Sequence, residues 1–296
     1  MEQKRLKTAI IGVGRWGKNV ARELADVSEL AYFASESDKN DAWAATALPQ
    51  TRRASVEEIS ADAVVDAVAI ATPVATHEKI ARRFLEAGKH VFVEKPLTET
   101  SAEAYALAAL AQEKGRILMT GYTLLYHPVY QELKRLIQEK GATRIECTWK
   151  KHGTFFDIIE NALLTHHLSI AYDLYGMPES ASVTLREAGE TVCDRIETKF
   201  AYKQCEFISK IDRLSEEKAH TIEATLIDGT KLRWDDTKLY KGEEVIFEST
   251  ETSLTQEVRV FIGAAGGGAI PRTAGDFGAH VLKIHEMLAP PTAGRA

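Results

Sequence analysis

Along the first 120 residues the apolar positions switch between two periods. Thr8-Ala9-Ile10-Ile11-Gly12-Val13 is a short apolar run, and Trp16, Val20 and Leu24 follow at helical spacing. Residues 64–71 (VVDAVAIA) are almost continuously apolar, the pattern of a parallel strand covered on both faces. Ile80, Ala81, Phe84 and Leu85 form a helical stripe that Gly88 closes. His90-Val91-Phe92-Val93 predicts a strand, Ser101 the N-cap of a helix ending near Gly115, and Ile117-Leu118-Met119-Thr120 a further strand. Strands alternating with helices imply right-handed βαβ crossovers and a doubly wound parallel sheet.

After about residue 122 the pattern changes. Pro128 opens a helix carrying Val129, Leu133, Leu136 and Ile137 on one face, closed by Gly141. Ile145, Cys147 and Trp149 then alternate with Glu146, Thr148 and Lys150, the period of a half-buried strand. An apolar helical stretch covers about 161–175. Strand candidates run from 181 to 247, with Asp228-Gly229 and Lys241-Gly242 as turn signals. This predicts a mainly antiparallel sheet with one polar and one apolar face. A last helix spans about 275–288, residues 264–269 read as a loop, and the tail 290–296 as a frayed end. The expected fold is therefore α/β: residues 1–121 a doubly wound, Rossmann-type parallel sheet, and 122–296 an α+β domain with a large, mainly antiparallel open sheet.

At 296 residues the chain suits two domains of roughly 100–200 residues each. Its 45% apolar and 27% charged residues are those of a soluble globular protein, which excludes disorder, collagen and an extended coiled coil. No stretch approaches the roughly 20 apolar residues of a membrane span. The first seven residues lack the features of a secretory signal, and Cys147, Cys193 and Cys205 form no C-x-x-C pair. A cytoplasmic chain with reduced thiols is expected. A net charge of −6 offers no attraction for nucleic acid or an anionic membrane. His166 and His167 are adjacent, and His280 and His285 stand five apart, so neither pair suits one metal. No metal is expected. Glu216-Glu217-Lys218 and Lys150-Lys151-His152 read as solvated surface.

Gly12-Val13-Gly14-Arg15-Trp16-Gly17 is a G-x-G-x-x-G between a predicted strand and a predicted helix. Gly12 permits the tight turn, Gly14 lets a pyrophosphate approach the backbone, and Gly17 lets helix pack on strand. Arg15 and Trp16 fall in the same loop. The ribose-facing residue should come about 20 positions on. Ser35 and Glu36 stand there. Glu36 could accept from both ribose hydroxyls and would repel a 2′-phosphate, and no arginine stands at this point of the sequence. NAD is favoured, with NADP as the alternative. Glu94-Lys95-Pro96 ends a strand, where ligands of such sheets lie.

Around these residues the chain resembles the glucose–fructose oxidoreductase / inositol dehydrogenase (Gfo/Idh/MocA) family. The resemblance rests on 69–77 (AIATPVATH), 87–97 (AGKHVFVEKPL), Gly121-Tyr122, Tyr126-His127-Pro128 and Arg272-Thr273-Ala274-Gly275-Asp276. It implies NAD(P)-dependent hydride transfer to or from a carbinol or carbonyl carbon of a small sugar, polyol or keto-sugar. It also implies cofactor contacts from Thr72, Pro73, His77, Glu94 and Lys95, and a homo-oligomer, dimer or tetramer, formed through the C-terminal sheet.

The family's catalytic lysine corresponds to Lys95, and its catalytic histidine to His166 by distance from Gly176-Met177-Pro178. Lys95 would stabilise a developing alkoxide and His166 would carry the proton. The substrate would lie between the domains, against Lys95, Tyr122 and His166. The two acids usual near that histidine are Ala162 and Ser169 here, and an arginine frequent near Tyr126 is Leu125. His167, Asn161, Tyr122, Tyr126 and Asp157 are candidates to compensate. The missing acids sustain an alternative: a non-catalytic dinucleotide or metabolite sensor on the same fold.

Overall fold

The computed structural model describes residues 5–151 and 159–289. Asp157, His152 and the tail 290–296, singled out above, lie outside the described residues. The chain divides into two compact units: Met1–Thr123 with Leu254–Ala279, and Leu124–Ser253 with His280–Ala296.

The first unit is built on strands β1 (Lys7–Ile11), β2 (Glu29–Ala34), β3 (Arg52–Arg53), β4 (Ala67–Ile70), β5 (His90–Glu94) and β6 (Leu118–Gly121). All pair in parallel, in the order β3-β2-β1-β4-β5-β6. This is the doubly wound order whose switch point lies between β1 and β4. β4 is buried along its whole length, as a strand sandwiched by helices must be, but it is shorter than the apolar run predicts. Helices α1 (Gly17–Val27), α4 (His77–Glu86) and α5 (Ser101–Lys114) fall where the stripes place them. The N-cap of α5 is Thr100, not Ser101: the Thr100 hydroxyl accepts the Glu103 N–H in a capping box. Gly115 ends the helix in the left-handed conformation, φ 61°.

Two short helices, α2 (Lys39–Ala47) and α3 (Val56–Ala61), and the two-residue β3 have no counterpart among the expected elements. In α2 only Ala44 is buried, so it carries no stripe.

The second unit holds α6 (Pro128–Lys140), α7 (Thr165–Tyr175) and an eight-stranded sheet. Its strands are β7 (Ala142–Lys150), β8 (Ser180–Glu187), β9 (Arg195–Ala201), β10 (Glu206–Asp212), β11 (Ala219–Leu226), β12 (Lys231–Asp235), β13 (Lys238–Lys241) and β14 (Glu244–Glu248). The order is β14-β13-β12-β11-β7-β10-β9-β8, antiparallel except where β7 meets β10. β9 and β10 alternate strictly: Ile196, Thr198, Phe200, Phe207, Ser209 and Ile211 are buried, and Glu197, Lys199, Ile208 and Lys210 between them are not. The opposite face is charged and laced by ion pairs such as Arg144–Glu206 and Lys210–Glu146. Lys150, read as solvated surface, reaches Glu217 at 2.8 Å.

The chain then returns to the first unit. An unexpected helix, α8 (Ser253–Ala265), absorbs the start of the 264–269 segment read as a loop. Its Phe261 packs against Phe92 of β5, ring centroids 5.7 Å apart. Thr120 of β6 donates its N–H to the Thr273 carbonyl, so the segment before the last helix, α9 (Phe277–Glu286), extends this sheet edge.

Candidate functional site

In the first unit the site starts from the turn between β1 and α1. Gly12 has φ 90°, and a Cβ there would stand 2.6 Å from the Ala71 carbonyl oxygen. A Cβ on Gly17 would stand 2.0 Å from the Gly12 oxygen. Only glycine lets helix and strand come this close. Gly14 differs: a Cβ built on it meets nothing within 4 Å. The turn thus has two closed glycines and one facing open space. Helix α1 begins there with no side-chain cap and no acidic residue in its first turn, which suits an anion at its N-terminus. The turn therefore fits the pyrophosphate of a dinucleotide.

Trp16 stands in this turn, 44% exposed, and its Nε1 donates to Oε1 of Glu94 at 2.6 Å. The glycine turn is thereby tied to the C-terminal end of β5. Glu94 is buried, and its carboxylate packs over Gly121, where a Cβ would come within 3.3 Å of it. Burial pushes the Glu94 carboxyl up to about 7, against the opposing pull of Trp16 and Lys95. Glu257 of α8 is completely buried, and burial and the neighbouring Glu94 raise its carboxyl well above the ordinary range. The packing of Phe261 on Phe92 accounts for this meeting. One helical turn back from Phe261 and two residues onward from Phe92 cover similar distances. Nothing in the local sequence signals Glu257, because it comes 163 positions after Glu94.

Lys95 is half-buried, and the Lys95–Pro96 peptide is cis. His77 is buried, with its ring between the carbonyls of Pro96 (Nδ1, 2.9 Å) and Thr72 (Nε2, 2.8 Å). Burial lowers its pKa, while its contacts with these carbonyls resist. His77 thus joins the loop after β4, carrying Thr72 and Pro73, to the loop after β5, carrying Lys95. The Tyr122 ring is fully buried against Phe277, centroids 5.6 Å apart.

At the end of β2 the structure corrects the sequence. No arginine follows this strand in the chain, but the sheet brings one beside it: Arg53 of β3 donates to the Ser35 carbonyl at 2.7 Å. It also pairs with Asp38 at 2.5 Å and Asp41 at 2.8 Å. Glu36 is exposed in the same loop.

In the second unit α7 separates the two candidate histidines. His167 is fully buried, its Nδ1 2.6 Å from the Ser209 hydroxyl and its ring stacked on His220 at 5.8 Å. Burial, then His220, drives its pKa well below the ordinary value. Its surroundings are those of a core histidine. His166 is partly exposed and lies against Trp149, centroids 5.5 Å apart. Ser169, where an acid would be expected, donates to the His166 carbonyl at 2.7 Å. Asn161 and Ala162 lie in a π-type turn, Glu160–Leu164, that leads into α7. Tyr126 is mostly buried at the end of the turn Thr123–Tyr126. Among the described residues no group of three or more His, Cys, Asp or Glu is placed to hold a metal. No described helix is long and apolar enough to cross a membrane.

Residues 6–122 match the family model described as "Oxidoreductase family, NAD-binding Rossmann fold". Over 130 residues the chain is 37% identical to UDP-N-acetylglucosamine 3-dehydrogenase of Acidithiobacillus ferrooxidans, covering 44% of this chain and 41% of that one. The aligned part thus spans about two fifths of that relative. Over 215 residues it is 26% identical to scyllo-inositol 2-dehydrogenase (NADP(+)) IolW of Bacillus subtilis, covering 63% and 57%. A solved structure of UDP-N-acetylglucosamine 3-dehydrogenase GnnA from A. ferrooxidans superposes with a TM-score of 0.87 at 26% identity, covering 96% of each chain.

Proposed function

We propose, from the match of residues 6–122 to the NAD-binding Rossmann model of the Gfo/Idh/MocA oxidoreductases, that the chain is a member of that family and moves a hydride between a nicotinamide dinucleotide and a carbinol or carbonyl carbon of a small sugar, polyol or keto-sugar derivative. The observation that carries this reading is the glycine turn. Its Gly14 faces open space at the uncapped start of α1, at the switch point of a 3-2-1-4-5-6 sheet. Relatives named for a nucleotide sugar and an inositol support the substrate class. In this reading residues 1–121 hold the dinucleotide and 122–296 hold the substrate and assemble the homo-oligomer.

Bound nicotinamide supplies the hydride acceptor or donor. The chain's own residues then do the rest. Gly14, Arg15 and Trp16 hold the phosphates at the start of α1, Ser35 and Glu36 the adenosine ribose. The Lys95 ammonium stabilises negative charge on the reacting oxygen. Alcohol oxidation releases a proton as well as a hydride, and His166 takes that proton. His77 positions Thr72 and Lys95 through the two backbone carbonyls it joins.

A second reading keeps dinucleotide binding without turnover. Ala162 and the engaged Ser169 favour it, since neither replaces the usual acids. Titration with NADH and NADPH, followed by Trp16 emission, tests the first step. Micromolar binding of one of them, with turnover on a keto-sugar or polyol panel, supports the enzyme. Binding without turnover supports the sensor. No binding at millimolar dinucleotide overturns both.

A further inference from the structure

The adenosine end of the site holds an arginine that is already engaged. Arg53 sits at the sheet edge opposite Phe33 of β2. Its Nη2 donates to the Ser35 carbonyl, and its Nη1 to Asp38 and to Asp41. The Asn40 amide donates to the Ser35 hydroxyl at 2.9 Å, and that hydroxyl also accepts the Ser37 N–H. The loop that carries Ser35 and Glu36 is therefore pinned from both ends. Arg52, the adjacent base, is turned away onto the Tyr32 ring, 5.0 Å from its centroid. Two carboxylates, Asp38 and Asp41, stand against Arg53; Glu36 is exposed in the same loop, and Lys39, the first residue of α2, is the remaining cation of residues 35–41.

A guanidinium binds a phosphate bidentately when its donors are available. Here both Nη1 donors go to two aspartates and one Nη2 donor goes to a carbonyl, so three of the five N–H groups are engaged and the charge is already paired. We propose that Arg53 is the specificity-determining residue of the adenosine ribose, and that Asp38 and Asp41 select NAD by withholding it from a 2′-phosphate. This inference rests on the dinucleotide reading above. In it the preference for NAD comes from the engagement of an arginine, not from the lack of one, and Glu36 acts in the same direction by charge. Surface ion pairs are individually weak, so removing the two aspartates should free the arginine without unfolding the loop.

The test measures Kd for NADH and NADPH by fluorescence on the wild type, Asp38→Asn/Asp41→Asn, Arg53→Gln and the triple variant, with Tm recorded for each. A charge-assisted phosphate contact is worth about tenfold or more in affinity. The double variant should therefore bind NADPH about tenfold tighter, with NADH changed by less than about threefold. The triple variant should lose that gain, and Arg53→Gln alone should not acquire it. An unchanged NADPH-to-NADH ratio in the double variant, or a gain that survives Arg53→Gln, overturns the inference while leaving dinucleotide binding intact. A wild type that binds neither cofactor overturns the dinucleotide reading and this inference together.

Discussion

The indole of Trp16 and the carboxyl of Glu94 stand 2.6 Å apart, and this bond ties the glycine turn to the strand end that carries Lys95. Burial pushes the Glu94 carboxyl up to about 7. Above that pH the acceptor is an anion, and the bond becomes charge-assisted. The emission of Trp16 in the free protein should therefore change with a midpoint near pH 7. Trp16→Phe should remove the transition, and Glu94→Gln should flatten it. The sign for stability follows from the raised value. Between about 4.5 and 7 the unfolded chain has lost this proton while the folded chain keeps it, so the Glu94 contribution falls as pH rises through that window and is flat above it. Relative to the wild type, Glu94→Gln should gain Tm between pH 5 and pH 8. A difference in Tm that does not vary with pH would rule this out.

The three glycines of the turn should separate under substitution. Gly17→Ala drives a Cβ into the Gly12 oxygen, so the helix must move, and a clear loss of Tm is expected. Gly14→Ala meets nothing in the protein, so it should cost no more than a few tenths of a kcal/mol and keep Tm within about 1 °C. Yet its methyl occupies the space the pyrophosphate needs, so NADH affinity should fall by about tenfold or more. Differential scanning fluorimetry and a binding titration on the two variants read the contrast. Equal losses of Tm would show that Gly14 is structural as well.

Legibility followed how local each relation is. The strand, glycine turn and helix from 7 to 27 are contiguous, and the doubly wound sheet follows from repeating that unit. Gly88, Gly115, Pro128 and Gly141 punctuate helices and mark their ends directly. Helix α3 was readable from its Ser55-x-x-Glu58 box, and α8 from Leu254, Val258 and Phe261 at helical spacing. What cannot be read is adjacency across the sheet. Arg53 reaches Ser35 only because a two-residue strand pairs beside β2, and Glu257 faces Glu94 only because α8 packs along β5. Neither contact leaves a periodicity in the chain. The separate fates of His166 and His167 follow from the helix turning about 100° per residue, but which of the two enters the core depends on Ser209 and His220 of distant strands.

A buried ion pair in the second unit predicts an acid-sensitive clamp. Asp194 is fully buried and receives Arg213 Nε at 2.9 Å, the Thr191 hydroxyl at 2.8 Å and the N–H groups of Gly189 and Thr191. Burial alone would raise this carboxyl; the bonds from Thr191 and Arg213 outweigh it and hold it at about 2. The contribution is therefore full above the ordinary value of about 3.9 and is lost as pH falls toward 2. Asp194→Asn leaves the Arg213 charge buried without its counter-ion and should cost about 3–5 kcal/mol. Urea denaturation at pH 7 and pH 3 measures it. The variant should lose less additional stability on acidification than the wild type, and a cost below about 1 kcal/mol would contradict the clamp.

The two neighbouring histidines of α7 should fail in different ways. His166 is partly exposed against Trp149, and under the proposed mechanism it carries the proton. His166→Asn should fold with an unchanged Tm, bind NADH as the wild type does, and lose about 100- to 10,000-fold in kcat. His167 is packed on Ser209 and His220 with no exposed surface. His167→Ala removes a ring from the core and should cost about 2–4 kcal/mol, with Tm falling accordingly. At a temperature where it remains folded, its kcat should stay within about tenfold of the wild type. The discriminating quantity is the ratio of lost kcat to lost stability. It is large for His166 and small for His167 if the proton passes through His166. The reverse order would move the acid–base role inward, onto a histidine that burial holds neutral.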